Sequence, residues 1–253
     1  MKHSVKSLIG CAMRATDGEI GKVKEFYFDD ETWVVRYLIV DTGNWLSGRA
    51  VLISTEAIVN ADWDSKTFLV NLTKEQVKNS PDINTDLPVS RQQEIQLLQY
   101  YPWTQYWGDG YYGRISGEMA VSPGPLVMGL PRTNLTEEKN KQEQNDDKHL
   151  RSTDNVTGYN IKATDGAIGD VEDFILDDTK WKIDFLIINT GNWLPGKKVL
   201  ISQKLITEID WEHANVSVET SVAFIKGSPE YDPTQLINVI DHNNLHQHYG
   251  ELT

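Results

Sequence analysis

The stretch "ATDGEIG" at residues 15–21 returns as "ATDGAIG" at 163–169, and "DTGNWL" at 41–46 returns as "NTGNWL" at 189–194, each after an offset of 148 residues. Held at that offset, residues 10–81 and 158–229 share 31 identities in 72 positions without a gap. The chain therefore contains a duplication, and whatever one copy folds into the other must fold into as well. The alignment continues ungapped to Tyr101 and Tyr249. A unit of this size is far longer than a solenoid repeat of roughly 20–50 residues, so each copy should be a domain in its own right.

Inside a unit the signals are those of short strands. Asp17-Gly18 and Asp165-Gly166 are Asp-Gly turns between extended runs, a strong hairpin cue. A glycine in both copies suggests a backbone that needs positive φ. A second turn falls at Asp29-Asp30 and Asp177-Asp178, followed by "WVVRYLIV" and "WKIDFLII". In the latter, Lys182 and Asp184 alternate with Ile183, Phe185 and Ile187, which predicts one wet and one buried face. The counterpart face, Val34, Arg36, Leu38 and Val40, is more apolar and should be covered. "VLIS" and a hairpin turned near Asp64-Ser65-Lys66 or Glu212-His213-Ala214 complete the unit. Many short strands with tight turns favour a small, strongly bent barrel, since closure removes sheet edges. The fold class is all-β: two such barrels, each with a short helical C-terminal tail.

Residues 102–131 are rich in aromatics, glycine and proline, and Arg132–Asn155 is charged and nearly free of large apolar groups. Such a segment cannot offset its ordering entropy and reads as a flexible tether. The expected division is a first barrel with tail over 1–101, a linker over 102–154 and a second barrel with tail over 155–253, loosely joined.

Composition narrows the function more than it defines it. A net charge of −13 repels phosphate backbones, so nucleic-acid partners are not expected. The single cysteine, Cys11, excludes an intramolecular disulfide. No apolar stretch approaches the roughly 20 residues that span a bilayer, so no direct membrane insertion and a cytoplasmic location are expected. Nucleophile-elbow, zinc-protease, phosphate-loop and dinucleotide motifs are missing, and neither barrel core has a shared histidine, so no catalytic residue is assigned and no enzyme is expected.

The pattern "G..I...DGEIGKVKEFYFDDETW.VRYLIVDTGNWLSGR.VLIS", present twice in register, resembles the PRC-barrel family. That family takes its name from the cytoplasmic domain of the photosynthetic reaction-centre H subunit and is similar to the C-terminal domain of the ribosome maturation factor RimM. Both tails also look like those of bacterial stand-alone proteins with tandem PRC barrels. The resemblance implies a protein-interaction or assembly scaffold with no cofactor, no metal and no shared catalytic residues. It implies protein partners, a membrane complex among them, and allows a homo-oligomer. The alternative it offers is a peripheral factor of a photosynthetic or other membrane complex, with acidic groups assisting assembly or proton and electron transfer.

Candidate residues follow from both readings. Asp17, Asp29, Asp30, Asp62 and their mates Asp165, Asp177, Asp178, Asp210 suit cation or proton capture, but they suit turns better, because Asp bonds its own backbone well. Trp33, Trp63, Trp181 and Trp211 suit barrel cores. Trp45 and Trp193 sit in glycine-bracketed loops and are the best contact anchors. Trp103, Trp107 and Tyr111 belong to an aromatic cluster that either recognises a partner or folds back over apolar surface. His242, His246 and His248 have metal-like spacing but no counterpart in the first copy, and read as a solvated tail.

Overall fold

The computed structural model describes residues 1–83, 88–107, 148–191, 197–228, 230–232 and 248. In chain order the first unit contains β1 (Lys2–Ser4), α1 (Val5–Leu8), β2 (Ala12–Ala15), β3 (Gly18–Asp29), β4 (Val35–Asp41), β5 (Ala50–Ser54), β6 (Ile58–Asp62), β7 (Thr67–Val70), α2 (Lys74–Lys78), β8 (Val89–Ser90) and α3 (Arg91–Tyr100). The second begins earlier than its repeat, with β9 (Lys148–Ser152) and α4 (Thr153–Val156). It continues through β10 (Asn160–Ala163), β11 (Gly166–Asp177), β12 (Lys182–Asn189), β13 (Lys198–Ser202), β14 (Ile206–Asp210), β15 (Asn215–Val218) and α5 (Val222–Lys226).

Each unit is one curved sheet, ordered β5-β4-β3-β2-β7-β6 in the first and β13-β12-β11-β10-β15-β14 in the second. Neighbours are antiparallel except β2 with β7 and β10 with β15. Curvature comes from the long strands. β3 slips register between Val23 and Glu25 and again between Tyr27 and Phe28, and β11 does so at the equivalent places. A bulge bends a strand and increases its twist, so one 12-residue strand serves β2 at its start and β4 at its end.

The long strands also explain why alternation fades along them. Glu25 to Asp29 are all buried, although a half-wet strand should alternate. In β12 the predicted alternation holds from Lys182 to Phe185 and then gives way to Leu186, Ile187 and Ile188, buried on both faces. A continuous apolar run is what a strand covered on both sides requires.

What covers them is the other unit. β1 leaves its own sheet and pairs with β11, Lys2 opposite Asp177, His3 opposite Leu176 and Ser4 opposite Ile175. β9 does the reciprocal, placing Leu150, Arg151 and Ser152 opposite Asp29, Phe28 and Tyr27 of β3. Between them, the Val35 N–H donates to the Trp181 carbonyl at 2.7 Å and the Ile183 N–H to that of Trp33 at 2.9 Å. Trp33 and Trp181 take φ of 62° and 49° to do so, a left-handed conformation that costs a bulky residue on the order of 1–3 kcal/mol. Both strained residues lie at the seam.

The buried apolar side chains accordingly form one cluster that runs through both units, with Phe28 and Phe174 ring centroids 6.3 Å apart and Phe68 and Trp181 6.0 Å apart. This corrects the expectation of loosely joined, self-sufficient barrels. It also corrects the linker boundary, because residues 148–154 of the expected tether form β9 and the start of α4. Their sequence "KHLRSTD" reads as polar because it contributes backbone pairing, one fully buried apolar side chain, Leu150, and the polar side chains of His149, Arg151 and Ser152, which find their partners in the first unit.

Candidate functional site

The seam carries the chain's densest cross-unit chemistry. Ser4 Oγ donates to Asp173 Oδ2, and Ser152 Oγ donates to Glu25 Oε2. The Asp173 Oδ1 also accepts the Lys6 and Phe174 N–H groups at 3.1 and 2.8 Å. Burial pushes the Asp173 carboxyl above its ordinary range, with these hydrogen bonds opposing it. Glu25 and Asp173 lie beneath a cavity of about 310 Å³, with Lys6 and Lys24 also lining it. Further along, Asp30 accepts from Arg151 Nε at 3.1 Å, while Asp178 meets His3 Nε2 at 2.9 Å and the N-terminal ammonium. Asp30 is raised by burial and held back by Arg151. The His3 ring stacks on Trp63 at 4.0 Å, and Arg151 lies 4.2 Å over Trp211.

A second polar cluster ties α3 to the seam. Glu94 has no exposed surface; it accepts from the Tyr106 hydroxyl at 3.0 and 3.1 Å and pairs with His149 Nε2 at 2.7 Å and Arg91 Nη1 at 3.3 Å. Arg91 reaches Asp29 at 3.4 Å. Burial, and then the Glu94 charge, push the Tyr37 and Tyr106 hydroxyls far up. Ser90 and Gln93 form a reciprocal capping box that starts α3 where this cluster needs it. Arg36 lies 3.5 Å from the Tyr106 ring centroid, and so the β4 face is covered by the chain's own aromatic segment and, at Val34, by the other unit.

The acidic repeat positions divide by role. Asp29, Asp62, Asp177 and Asp210 accept N–H groups two or three residues on, as turn-formers do. Backbone donors hold Asp62 and Asp210 below the ordinary carboxyl range. In Asp177 burial acts upward but the Thr179 hydroxyl and N–H outweigh it. Asp17 and Asp165 are not self-bonded turns: they accept the Lys74 and Val222 N–H groups at 2.8 and 2.7 Å and so anchor the starts of α2 and α5. Asp30 and Asp178 are seam partners. The glycines correct a second expectation. Gly18 has φ 146°, but Gly166 is not at positive φ. The glycine that the motif cannot change is the next one, because a Cβ at Gly21 or Gly169 would stand 2.0 Å from the carbonyl oxygen of Asp41 or Asn189.

Of the tryptophans, Trp45 is half-buried, donates its indole N–H to the Ile20 carbonyl and lies under Lys74 at 4.7 Å. Trp103 stacks on Tyr101 at 3.9 Å, and Trp107 packs edge-on against Tyr106 at 4.8 Å with Arg91 over it. The aromatic segment therefore folds back on the first unit as far as Trp107. Trp193, Tyr111, His242 and His246 lie outside the described residues; His248 stacks on Phe224 at 4.5 Å. Sequence reasoning missed Ser4, Ser152, Glu25 and Asp173, though serine and acid recur at the 148 offset, and missed Glu94, Arg91 and His149, which have no repeat to flag them. Among the described residues no group of three or more His, Cys, Asp or Glu side chains could hold a metal ion, and no helix is long and apolar enough to cross a membrane.

Each sheet order has two end strands, β5 and β6 in the first unit and β13 and β14 in the second. β6 and β14 end their sheets and pair on one side only among the described residues. Val59, in the β6 bulge, is 64% exposed. β14 and Trp211 face Asp30, Glu31 and Trp33 across a cleft of about 270 Å³ that also holds Glu208.

These features define a tandem, strand-exchanged β protein. Residues 2–77, the first unit, match the family model of the PRC-barrel domain. The chain is also similar to an uncharacterized protein of Deinococcus radiodurans, 33% identical over 84 residues. The match covers 33% of this chain and 30% of that protein, so the chain spans under a third of its relative's length.

Proposed function

We propose that the chain is a non-enzymatic protein-interaction and assembly scaffold. The observation that carries this reading is that the end strands β6 and β14 pair on one side only among the described residues. An edge strand offers unpaired backbone groups to an extended segment of a partner, which adds as another strand. The β14 edge adds tryptophan walls and an acidic lining, which favour a segment bearing Lys or Arg. Trp45, pinned through its N–H, keeps part of its ring for contact, and Trp193 and Tyr111 remain candidates of the same kind. Polar buried clusters at the seam and α3 act as rigid supports in this reading, not as reacting groups.

Affinity capture from native lysate with the wild type, Val59→Lys and Glu208→Lys tests it. Both substitutions place a charge on a solvent-facing edge and should leave the thermal midpoint within about 2 °C, since exposed changes stay within about 0.5 kcal/mol. At least one should remove a reproducible set of partners. An identical captured set for all three proteins would reject the edges as the contact surface. Co-purification of a membrane complex would direct the scaffold to the peripheral role implied by the H-subunit resemblance; soluble partners would direct it elsewhere.

A further inference from the structure

The contacts that β1 and β9 make with the body of the opposite unit recur in pairs related by the 148-residue offset. Ser4 with Asp173 repeats as Ser152 with Glu25, His3 with Asp178 as Arg151 with Asp30, and His3 on Trp63 as Arg151 on Trp211. Val34 bridges Lys182, its own counterpart, which places the pseudo-twofold axis there. An interface in which the same patch serves both sides is isologous, the arrangement of two identical subunits about a twofold. Such a patch can in principle mate with a copy of itself.

Among the described residues the symmetry is broken where α3 and β8 meet β9, through Glu94 with His149 and Val89 opposite Leu150, and at two further places that bear on charge. Lys2 Nζ meets Asp184 Oδ2 at 2.9 Å and lies 4.8 Å over the Phe185 ring. The positions equivalent to Lys2, Asp184 and Phe185 are Leu150, Arg36 and Tyr37. Pairing two first units would therefore set Lys2 against Arg36. Pairing two second units would set Leu150 against Asp184 and, on the axis, Lys182 against Lys182. Like charges directly opposite one another are destabilising, and repulsion in the wrong pair is how related interfaces discriminate. All the other paired contacts would survive either mismatch, because each of them is chemically similar in both copies.

We propose that the seam is a heterospecific docking face whose partner is the opposite half of this chain, its own or a second copy's, and that Lys2, Arg36, Asp184 and Lys182 exclude the pairing of like halves. The connection through residues 108–147 makes the pairing intramolecular, at an effective concentration on the order of millimolar. Freed of that connection, the first half of one molecule takes the second half of another. The inference stands independently of the scaffold reading, since it concerns how the body is assembled and not what it binds.

The test uses the full chain, folded intact, with a protease site introduced into residues 108–147. Isotope-labelled and unlabelled preparations are cleaved after folding, mixed, and followed by native mass spectrometry. Expected are halves that stay associated at micromolar concentration, label that scrambles among unlike pairs, and like pairs at least about tenfold below their statistical share, a preference of about 1.4 kcal/mol. Halves that separate on cleavage, like pairs in statistical proportion, or label that never scrambles would each overturn the proposal. A second arm uses Arg36→Asp, which gives Lys2 an opposite charge in a pair of first units and should raise that pair about tenfold. An unchanged proportion would remove Lys2 and Arg36 as selectors; if that variant does not fold, the wild-type arm alone decides.

Discussion

Asp173 shows how a single buried carboxyl sets a pH dependence. Its pKa in the fold is raised above 3.8 by burial, more than Ser4 and the two N–H donors lower it. The folded state thus holds this proton more tightly than the unfolded chain. Its contribution to stability grows as pH falls through the raised value toward about 3.9 and is lost as pH rises. Asp62 and Asp210 run the other way: their lowered values add stability above the ordinary carboxyl range that is lost on acidification. Comparison with Asp173→Asn isolates the first effect. The midpoint of the wild type relative to the variant should increase as pH is lowered from about 7 to 4, within the range of carboxyl shifts. A constant difference would show that Asp173 titrates as an exposed group. Glu94 makes the opposite point, since its carboxylate anchors Arg91, His149 and Tyr106. Glu94→Ala leaves buried partners uncompensated and should cost about 3–5 kcal/mol in denaturant unfolding; a loss below about 1 kcal/mol would mean water replaces it readily.

At the scale of elements, the bent strands β3 and β11 depend on a close approach. Gly21→Ala or Gly169→Ala drives a methyl group into the backbone of β4 or β12, and neither neighbour can swing away as a flexible side chain would. Each should cost about 1–3 kcal/mol by overpacking, while Gly166→Ala, whose methyl would meet Val222 at 3.5 Å, should cost less than about 1 kcal/mol. Equal losses at 166 and 169 would refute the close-approach argument. The strands of each unit were legible from Asp-Gly turns and repeated apolar runs because those are local signals. The fate of β1 and β9 was not. A three-residue or five-residue polar strand has no periodicity, and its partner lies in the opposite unit, as Asp177 does for Lys2 and Asp29 for Leu150. Asp17 illustrates the same limit: its residue type announces a turn, while its partner, the Lys74 N–H, depends on how the sheet curls. The α3 cluster was invisible because Glu94 aligns with His242, so the duplication that revealed everything else was silent there.

For the whole molecule the exchanged strands decide cooperativity. Two barrels on a loose tether would unfold separately, each with its own midpoint. Here each long strand needs the other unit to cover it, and Leu150, Phe28 and Phe174 are buried only while both units are folded. Removing one unit exposes an apolar face of the other, at about 25 cal/mol for every Å² returned to water. A two-state transition is usual for a single cooperative core, so calorimetry should give one peak whose calorimetric and van't Hoff enthalpies agree. A substitution confined to one unit, such as Gly169→Ala, should shift that peak without splitting it, because the undisturbed unit has no folded state to retain when its mate is lost. Two resolved peaks, with only one moved by Gly169→Ala, would mean that the shared core contributes little and that the units are independent bodies joined by hydrogen bonds alone.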